Sequence, residues 1–256
     1  MASFSLARRL RAGEIVYCGW CALPAPILPE VMAREGFAAV AIDMQHGLWD
    51  FAACVTAIGA VHGVGAAPIV RVSYNDFALV SRALDMGAEG IIAPMINTVD
   101  DAKKFVAVAK FPAVGERSWG PNRAMMVGGF ADQKAYLRDA NDMTVTIAMI
   151  ETRTALANVE AIAATRGIDV LFVGPSDLSI TMSGGAVLDP VSKEVEAALD
   201  QIVAAAKKAG KVAGLYCANA ERAVKMAKRG FGYLAVGSDL GFFRDGIGAQ
   251  MKVLKG

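Results

Sequence analysis

The chain has 256 residues, a length compatible with one large α/β domain. Lysine plus arginine (26) nearly equals aspartate plus glutamate (25), so the sequence has no basic field for binding nucleic acid or an anionic membrane surface. Every apolar run ends well before the roughly 18 residues that a membrane-spanning helix needs, and the first residues show no signal peptide. We therefore expect one cytoplasmic domain over residues 1–256 that acts on small molecules.

Short apolar runs rich in β-branched residues alternate with longer stretches of helical period along the chain. This pattern is typical of repeated βα units and a parallel sheet. A short amphipathic helix is predicted first, in MASFSLARRLRAGE, and eight strands are predicted at residues 15–20, 38–42, 68–72, 90–94, 144–150, 169–173, 212–216 and 233–236. Eight βα units close a (β/α)8 TIM barrel, which is the predicted fold class, and an open doubly wound sheet is the alternative.

Two segments depart from the regular alternation. The connection over residues 110–142 is long, and its aromatic residues, which include Trp119 and Tyr136, favour an ordered structure. The last segment, residues 240–254, is predicted to form a helix whose apolar side chains are available for packing.

Five polar residues follow or end the predicted strands at their carboxyl ends. Asp43 and His46 follow the second strand, Arg71 ends the third, Glu151 follows the fifth and Asp177 follows the sixth. An α/β barrel carries its active site at this end of its strands. We therefore expect all five side chains to lie at one mouth of the barrel.

Glu151 and Asp177 follow adjacent strands, so their carboxylates can converge on one point. Magnesium and manganese prefer oxygen ligands and need only one or two protein carboxylates when water and substrate oxygens complete the coordination. The alternative is that each carboxylate caps the helix that follows it. We predict a divalent-metal site at these two residues.

The sixth strand is followed by a turn of four residues, Gly174, Pro175, Ser176 and Asp177. Glycine lets the backbone approach a ligand closely, and successive N–H groups can bind an anion such as a substrate carboxylate. A tight turn without a ligand is the alternative.

Arg71 and His46 are the candidates for binding and proton transfer. A guanidinium group at the end of an apolar strand needs an anionic partner, which can be a substrate oxygen or an internal salt bridge to Asp43 or Glu151. His46 lies three residues after Asp43, whose carboxylate can orient the imidazole ring. His62 has no such neighbour and is predicted to be structural.

Cysteine and lysine chemistry is not favoured. Cys18 and Cys21 have the spacing of a redox dithiol, but Pro24 and Pro26 follow them instead of a helix start, so buried thiols are the favoured interpretation. No lysine is predicted at the mouth, and Lys211 precedes the seventh strand at the opposite end, so we expect no Schiff base and no organic cofactor.

These motifs together resemble the HpcH/HpaI aldolases, a family of metal-dependent, pyruvate-specific barrel enzymes. The resemblance covers nearly the whole chain and rests on LARRLRAGEIVYCGW, EVMAREGFAAVAIDMQHG, PIVRV, ALDMGAEGIIAPMINT, GERSWGPNRA, AMIET and VGPSDLS. It implies that Glu151 and Asp177 bind the metal, that Arg71 contacts the keto oxygen of pyruvate, and that His46 takes part in proton transfer.

The resemblance also implies that the turn from Gly174 to Asp177 holds the pyruvate carboxylate and that Trp20 and Leu215 lie near the aldehyde. It further implies a homohexamer in which the last helix is exchanged between neighbouring subunits.

Four residues in or near the motifs shared with the family depart from its pattern or have more than one possible role. The family has an aspartate of the LDxG stretch near the catalytic histidine, but Asp85 is predicted at the helix-to-strand end, so it acts only if it reaches a neighbouring subunit's site. A helix-terminal aspartate is the alternative. Gln45 stands where many relatives have glutamate. Arg117 and Arg123, in the long connection, bind either a distal carboxylate or a neighbouring subunit.

The reaction expected from the resemblance is reversible cleavage of a 4-hydroxy-2-oxoacid to pyruvate and an aldehyde. A divalent metal, Mg2+, Mn2+ or Co2+, would stabilise the pyruvate enolate. The alternatives are a related lyase for a malyl- or citramalyl-type acid, a redox protein using the dithiol, and a barrel that has lost catalysis and serves as a scaffold.

Overall fold

A computed structural model of the chain describes residues 4–256. Its eight strands are parallel and are, in chain order, β1 (Val16–Cys21), β2 (Ala39–Asp43), β3 (Ala67–Arg71), β4 (Gly90–Ala93), β5 (Val145–Ile150), β6 (Val170–Val173), β7 (Val212–Cys217) and β8 (Tyr233–Val236). They follow this order around a closed barrel in which β8 pairs with β1. The predicted TIM barrel is confirmed, each strand within one residue of its predicted bounds, and the open sheet is wrong.

The helices surround the barrel and cover one of its ends. They are α1 (Leu6–Arg11), α2 (Ile27–Arg34), α3 (Phe51–Gly63), α4 (Phe77–Asp85), α5 (Val99–Ala109), α6 (Asn122–Val127), α7 (Gln133–Met143), α8 (Arg153–Ala157), α9 (Val159–Ala163), α10 (Pro175–Met182), α11 (Lys193–Lys208), α12 (Ala220–Lys228) and α13 (Asp239–Lys255). The predicted first helix is α1, and residues 1–3 of its motif lie outside the described residues. Within residues 4–256, none of these helices has the length and apolar character to cross a bilayer.

The alternation of side chains along each strand divides the core into two layers. In β1, Trp20 packs inside the barrel with Phe172, whereas Cys21 belongs to the layer between the strands and the helices. In β2, Ala39 and Ala41 point inward. Asp43 is two residues further along, so the same alternation places its carboxylate above the barrel interior.

The carboxyl ends of the strands form the mouth of the barrel, and their amino ends form the floor. The inserted segment with α6 and α7 lies between α5 and β5, and therefore at the floor. It has its own apolar cluster around Phe111 and Tyr136, on which Trp119 packs at ring-centroid distances of 5.4 and 6.0 Å. The predicted order of this segment is confirmed.

The last helix, α13, is confirmed but makes little use of its apolar residues within this chain. Its one buried residue is Asp239, which accepts hydrogen bonds from the backbone N–H groups of Ala22 and Leu23. Phe243 and Leu254 are 63% and 77% exposed. The helix is therefore anchored near its start, where Phe242 also stacks on Phe37, and is exposed along most of its length.

Candidate active site

The mouth brings together the five polar residues that the sequence singles out. Asp43 and Arg71 lie opposite each other in the register of β2 and β3 and are both buried. Glu151, also buried, follows β5 directly, whereas His46 and Asp177 are exposed. All five are at the carboxyl ends of the strands, as their positions in the sequence predicted.

Asp43 and Arg71 form a two-point ion pair. The Nε and Nη2 atoms of Arg71 donate to Oδ1 and Oδ2 of Asp43 at 2.8 and 2.5 Å. Trp20 Nε1 donates to Oδ2 at 3.2 Å, and the backbone N–H groups of Gln45 and His46 donate to Oδ1 at 3.0 and 3.2 Å. Burial by itself raises the pKa of Asp43, but Arg71 and the backbone N–H groups of His46 and Gln45 lower it below its ordinary value. Asp43 is therefore an ionised group that organises the mouth.

The ion pair does not use the whole guanidinium group of Arg71. Its Nη1 atom makes no hydrogen bond to any of residues 4–256 and is not among their buried unpartnered atoms. The internal salt bridge to Asp43 is thus the arrangement that forms, and one edge of Arg71 remains available for a ligand oxygen. The guanidinium carbon lies 4.8 Å from the centre of the Trp20 ring.

Glu151 is held by one oxygen and leaves the other at the mouth. Its Oε1 atom accepts a hydrogen bond of 2.7 Å from the backbone N–H of Met95, a residue in the left-handed region at φ 56°. Its Oε2 atom lies so close to Gly174 that a Cβ atom on that glycine would collide with it. Glu151 does not cap the following helix, because Thr152 does so by accepting from Ala155 N–H.

Asp177 lies in the first turn of α10, and its side chain makes no hydrogen bond in the described part of the chain. Burial raises the pKa of Glu151 to about 7; the hydrogen bond from Met95 N–H and the charge of Arg71 oppose this shift, and the charge of Asp177 adds to it. No group of three or more His, Cys, Asp or Glu side chains suited to a metal occurs among residues 4–256. Two carboxylates without further protein ligands fit a magnesium-type ion better than a structural zinc.

The turn after β6 opens directly into α10. Pro175 is the first helical residue and is buried, whereas Ser176 is exposed. The first N–H groups of a helix have no partner within the helix and can bind an anion. This arrangement places such groups at the mouth, next to Glu151 and Asp177.

His46 differs in one respect from the expectation. Asp43 accepts from its backbone N–H, not from its ring, so the carboxylate holds the loop and does not orient the imidazole. The neighbouring Gln45 has a buried Oε1 atom without a hydrogen-bond partner.

The wall of the mouth is aromatic. Trp20 stacks on Phe172 at 6.1 Å with 9° between the ring planes, and Tyr216 meets Trp20 edge to face at 5.5 Å. Leu215, which the resemblance placed near the aldehyde, packs in the outer layer between strands and helices. Tyr216, the next residue along β7, is the one that faces inward, and sequence reasoning missed it because the register of the alternation was not fixed.

Asp85 and the two arginines of the long connection lie at the floor. Arg117 Nη2 donates to Asp85 Oδ1 at 2.6 Å, and the Arg117 side chain is fully buried. Arg123 donates to the backbone carbonyls of Met86 and Val55. The placement of Asp85 at the end away from its own mouth is as predicted, and both arginines are engaged within the chain.

The cysteines do not support dithiol chemistry. Cys18 points into the barrel and Cys21 out of it, although both lie in β1. Burial raises the pKa of both thiols, that of Cys18 to about 12. A thiolate nucleophile is therefore disfavoured at either position.

Two further residues at the floor have structural partners. His62 Nε2 is 2.9 Å from the carbonyl of Gly87, in agreement with its predicted structural role. Lys110, which sequence reasoning missed, is buried and donates to Asp169 at 3.0 Å and to the carbonyls of Asn141 and Thr144. It lies at the end of the barrel opposite the candidate site.

Comparison with known proteins gives consistent matches. A family model described as HpcH/HpaI aldolase/citrate lyase matches residues 17–246. A hydroxypyruvate/pyruvate aldolase of Rhizorhabdus wittichii is 38% identical over 89% of each chain, and a 4-hydroxy-2-oxovalerate aldolase of Novosphingobium aromaticivorans is 36% identical over 97% of this chain and 93% of its own. A solved structure of an HpcH/HpaI aldolase/citrate lyase family protein from Burkholderia cenocepacia J2315 superposes with a TM-score of 0.89 at 30% identity, over 99% of this chain and all of that one.

Proposed function

The chain belongs to the HpcH/HpaI aldolase/citrate lyase family, and from that premise we propose that it reversibly cleaves 4-hydroxy-2-oxoacids to pyruvate and an aldehyde with a divalent metal. Relatives that are 33–38% identical over most of the chain are named aldolases, so the protein is a carbon–carbon lyase of the aldolase type. The observation that carries the finer proposal is that Glu151 and Asp177 follow adjacent strands at the mouth that also holds the unused Nη1 atom of Arg71.

Glu151 and Asp177 are the residues that would hold the metal, since a magnesium-type ion prefers oxygen ligands and needs only one or two protein carboxylates. When bound there, Mg2+, Mn2+ or Co2+ would act as a Lewis acid toward the carbonyl of a 2-oxoacid. The tight packing of Glu151 against Gly174 fixes the position of one carboxylate oxygen. No organic cofactor and no Schiff-base lysine are part of this proposal.

Arg71 and the start of α10 would bind pyruvate. The free Nη1 atom of Arg71 donates to the keto oxygen, and the first N–H groups of α10, around Ser176, donate to the carboxylate. Both groups hold the 2-oxoacid between the aromatic wall and Glu151. A negative charge that develops on the keto oxygen is then next to a fixed positive group.

His46 would transfer the proton of the 4-hydroxyl group of the 4-hydroxy-2-oxoacid. In the cleavage direction the 4-hydroxyl group loses its proton with the help of the imidazole, the bond between C3 and C4 breaks, and the aldehyde leaves. In synthesis the same ring returns the proton to the new hydroxyl group. The exposure of His46 at the mouth leaves room for an aldehyde beside it.

We propose a cytoplasmic homohexamer as the working assembly. The exposed apolar residues of α13 suit exchange of this helix with a neighbouring subunit. In that assembly Asp85 would reach the mouth of another copy, since it cannot reach its own. Gel filtration of the full chain, compared with an α13 variant that carries Phe243→Ser, tests this assembly.

The first experiment measures pyruvate release from racemic 4-hydroxy-2-oxoacids with coupled lactate dehydrogenase. We expect the activity to vanish after chelation and to return with Mg2+, Mn2+ or Co2+, while enzyme dialysed without chelator keeps it. Activity that is unchanged by chelation would contradict the metal site. Absence of pyruvate from every such substrate would favour a lyase for malyl- or citramalyl-type acids.

A further inference from the structure

Trp20 contacts both members of the ion pair at the mouth. Its indole N–H donates to Asp43 Oδ2 at 3.2 Å, and its ring lies 4.8 Å from the guanidinium carbon of Arg71. The first contact satisfies the same carboxylate oxygen that Arg71 Nη2 uses. The second is within the distance at which a cation is attracted by an aromatic face.

Two aromatic residues, Phe172 and Tyr216, fix the position of the Trp20 ring. Phe172, in the barrel interior, stacks almost parallel to it, and Tyr216 packs its edge against it at an interplanar angle of 83°. Only 6% of the Trp20 surface is exposed. Little of the residue is therefore left to contact an aldehyde.

We propose that Trp20 is a positioning residue that fixes the Asp43–Arg71 pair so that the free edge of Arg71 faces the 2-oxoacid. Arginine side chains have many rotamers, and a two-point pair can still swing as a unit. A hydrogen bond to one partner and a ring face against the other prevent that motion. This role rests on the proposed function and differs from the aldehyde contact that the family resemblance implies.

Trp20→Phe and Trp20→Leu separate the two contacts. The phenylalanine keeps a ring face for Arg71 and loses the N–H, and the leucine loses both. The matched control is Trp49→Phe, because Trp49 is similarly buried and donates its indole N–H to the carbonyl of Cys21 at 3.0 Å, in the outer layer. Any general cost of removing a buried indole hydrogen bond appears in this control.

The first readout is the exchange of the C3 protons of pyruvate in D2O, with Mg2+ and without any aldehyde. We expect exchange to fall about 10-fold in Trp20→Phe and about 100-fold in Trp20→Leu, with a raised KM for pyruvate, since one hydrogen bond and then a cation–π contact are lost. Trp49→Phe should exchange at the wild-type rate. Normal exchange in both Trp20 variants, with a changed KM for the aldehyde alone, would overturn the proposal.

The second readout does not depend on activity. The Nε–H resonance of Arg71 in arginine-labelled protein, assigned with Arg71→Lys, should exchange slowly with water in the wild type and much faster in Trp20→Leu. Equal protection in both would overturn the positioning role. A third result would separate the two proposals. If the wild type does not exchange the C3 protons of pyruvate, but the Nε–H of Arg71 exchanges faster with water in Trp20→Leu, the proposed function is rejected and the positioning role stands.

Discussion

Buried charges occur at both ends of the barrel, and both ends contain polar atoms without a partner, among them Nε and Nη1 of Arg117 at the floor. At the floor, the ammonium group of Lys110 has three acceptors within the chain, and Glu89 accepts from the backbone N–H groups of Ser5 and Leu6. At the mouth, Arg71 keeps one nitrogen without a partner, and Glu151 uses one of its two oxygens. Burial of a charge alone does not mark a functional site.

Exposure beside the unused atoms distinguishes the two regions, because His46 and Asp177 are exposed at the mouth, whereas the unpartnered Nε and Nη1 atoms of Arg117 at the floor are buried. A buried charged group whose hydrogen-bond partners all lie within the chain contributes to stability. Removing that group leaves its buried partners without a hydrogen bond. A charged group with a free, accessible atom can bind a ligand. Substitutions at the floor should therefore change stability, and substitutions at the mouth should change catalysis.

The largest effect is expected at Glu151 and Asp177. Glu151→Gln and Asp177→Asn should each lower kcat/KM on the order of 10³-fold, because both remove a charged ligand of the proposed metal. Steady-state pyruvate release and thermal unfolding measure activity and fold. Glu160→Gln, an exposed glutamate paired with Lys208, is the control and should be fully active. Wild-type turnover in both mouth variants would refute the metal assignment.

The second prediction concerns Lys110 at the floor. Lys110→Met should lower the free energy of unfolding by about 3 kcal/mol, since Asp169 and two carbonyl groups lose a buried donor. Urea unfolding measures this, and the folded fraction should keep its kcat. Lys208→Met, which breaks only an exposed pair, should change stability little. A large loss of kcat in folded Lys110→Met would contradict the division between floor and mouth.

The two histidines allow a direct comparison of the regions. His46→Gln should lower kcat about 100-fold with an unchanged midpoint of thermal unfolding, because proton transfer is lost. His62→Gln should lower the midpoint and leave kcat unchanged, since His62 bonds to the Gly87 carbonyl at the floor. The reverse pattern would mean that the roles of the two residues are exchanged.

The smallest effect concerns Glu89. Burial raises the pKa of its carboxyl to about 7 from an ordinary value of 4.5. Between these values the unfolded chain loses the proton and the folded chain keeps it, so stability is full below pH 4.5 and falls as pH rises to about 7. Relative to Glu89→Gln, the wild type should lose stability progressively across this window. Urea midpoints at several pH values measure the difference, and a pH-independent difference would contradict the raised pKa.

Much of the architecture could be predicted because it depends on local patterns. A strand that is buried on both faces is a short apolar run, and each of the eight runs could be recognised without its neighbours. The polar residues at the strand ends were also recognisable, because a carboxylate or guanidinium directly after an apolar run interrupts the pattern. Asp43, Arg71 and Glu151 were located in this way.

The partners of these residues could not be predicted in the same way. The sequence allowed Arg71 to pair with Asp43, Glu151 or a substrate, and only the register of β2 and β3 places Asp43 opposite it. The choice between Leu215 and Tyr216 depends on which face of β7 turns inward, and a shift of one residue reverses it.

The sequence by itself determined the eight strands and the end of them that carries the chemistry, since hydrophobic period and chain order suffice for these, whereas the pairing of β8 with β1 decided between the barrel and the open sheet. The tertiary structure alone decided which charges are satisfied. Lys110 meets Asp169 across 59 residues, and Trp20 meets Asp43 across 23. Such contacts depend on distances between strands and loops that are far apart in the chain, and hydrogen-bond satisfaction is a property of those distances, not of composition.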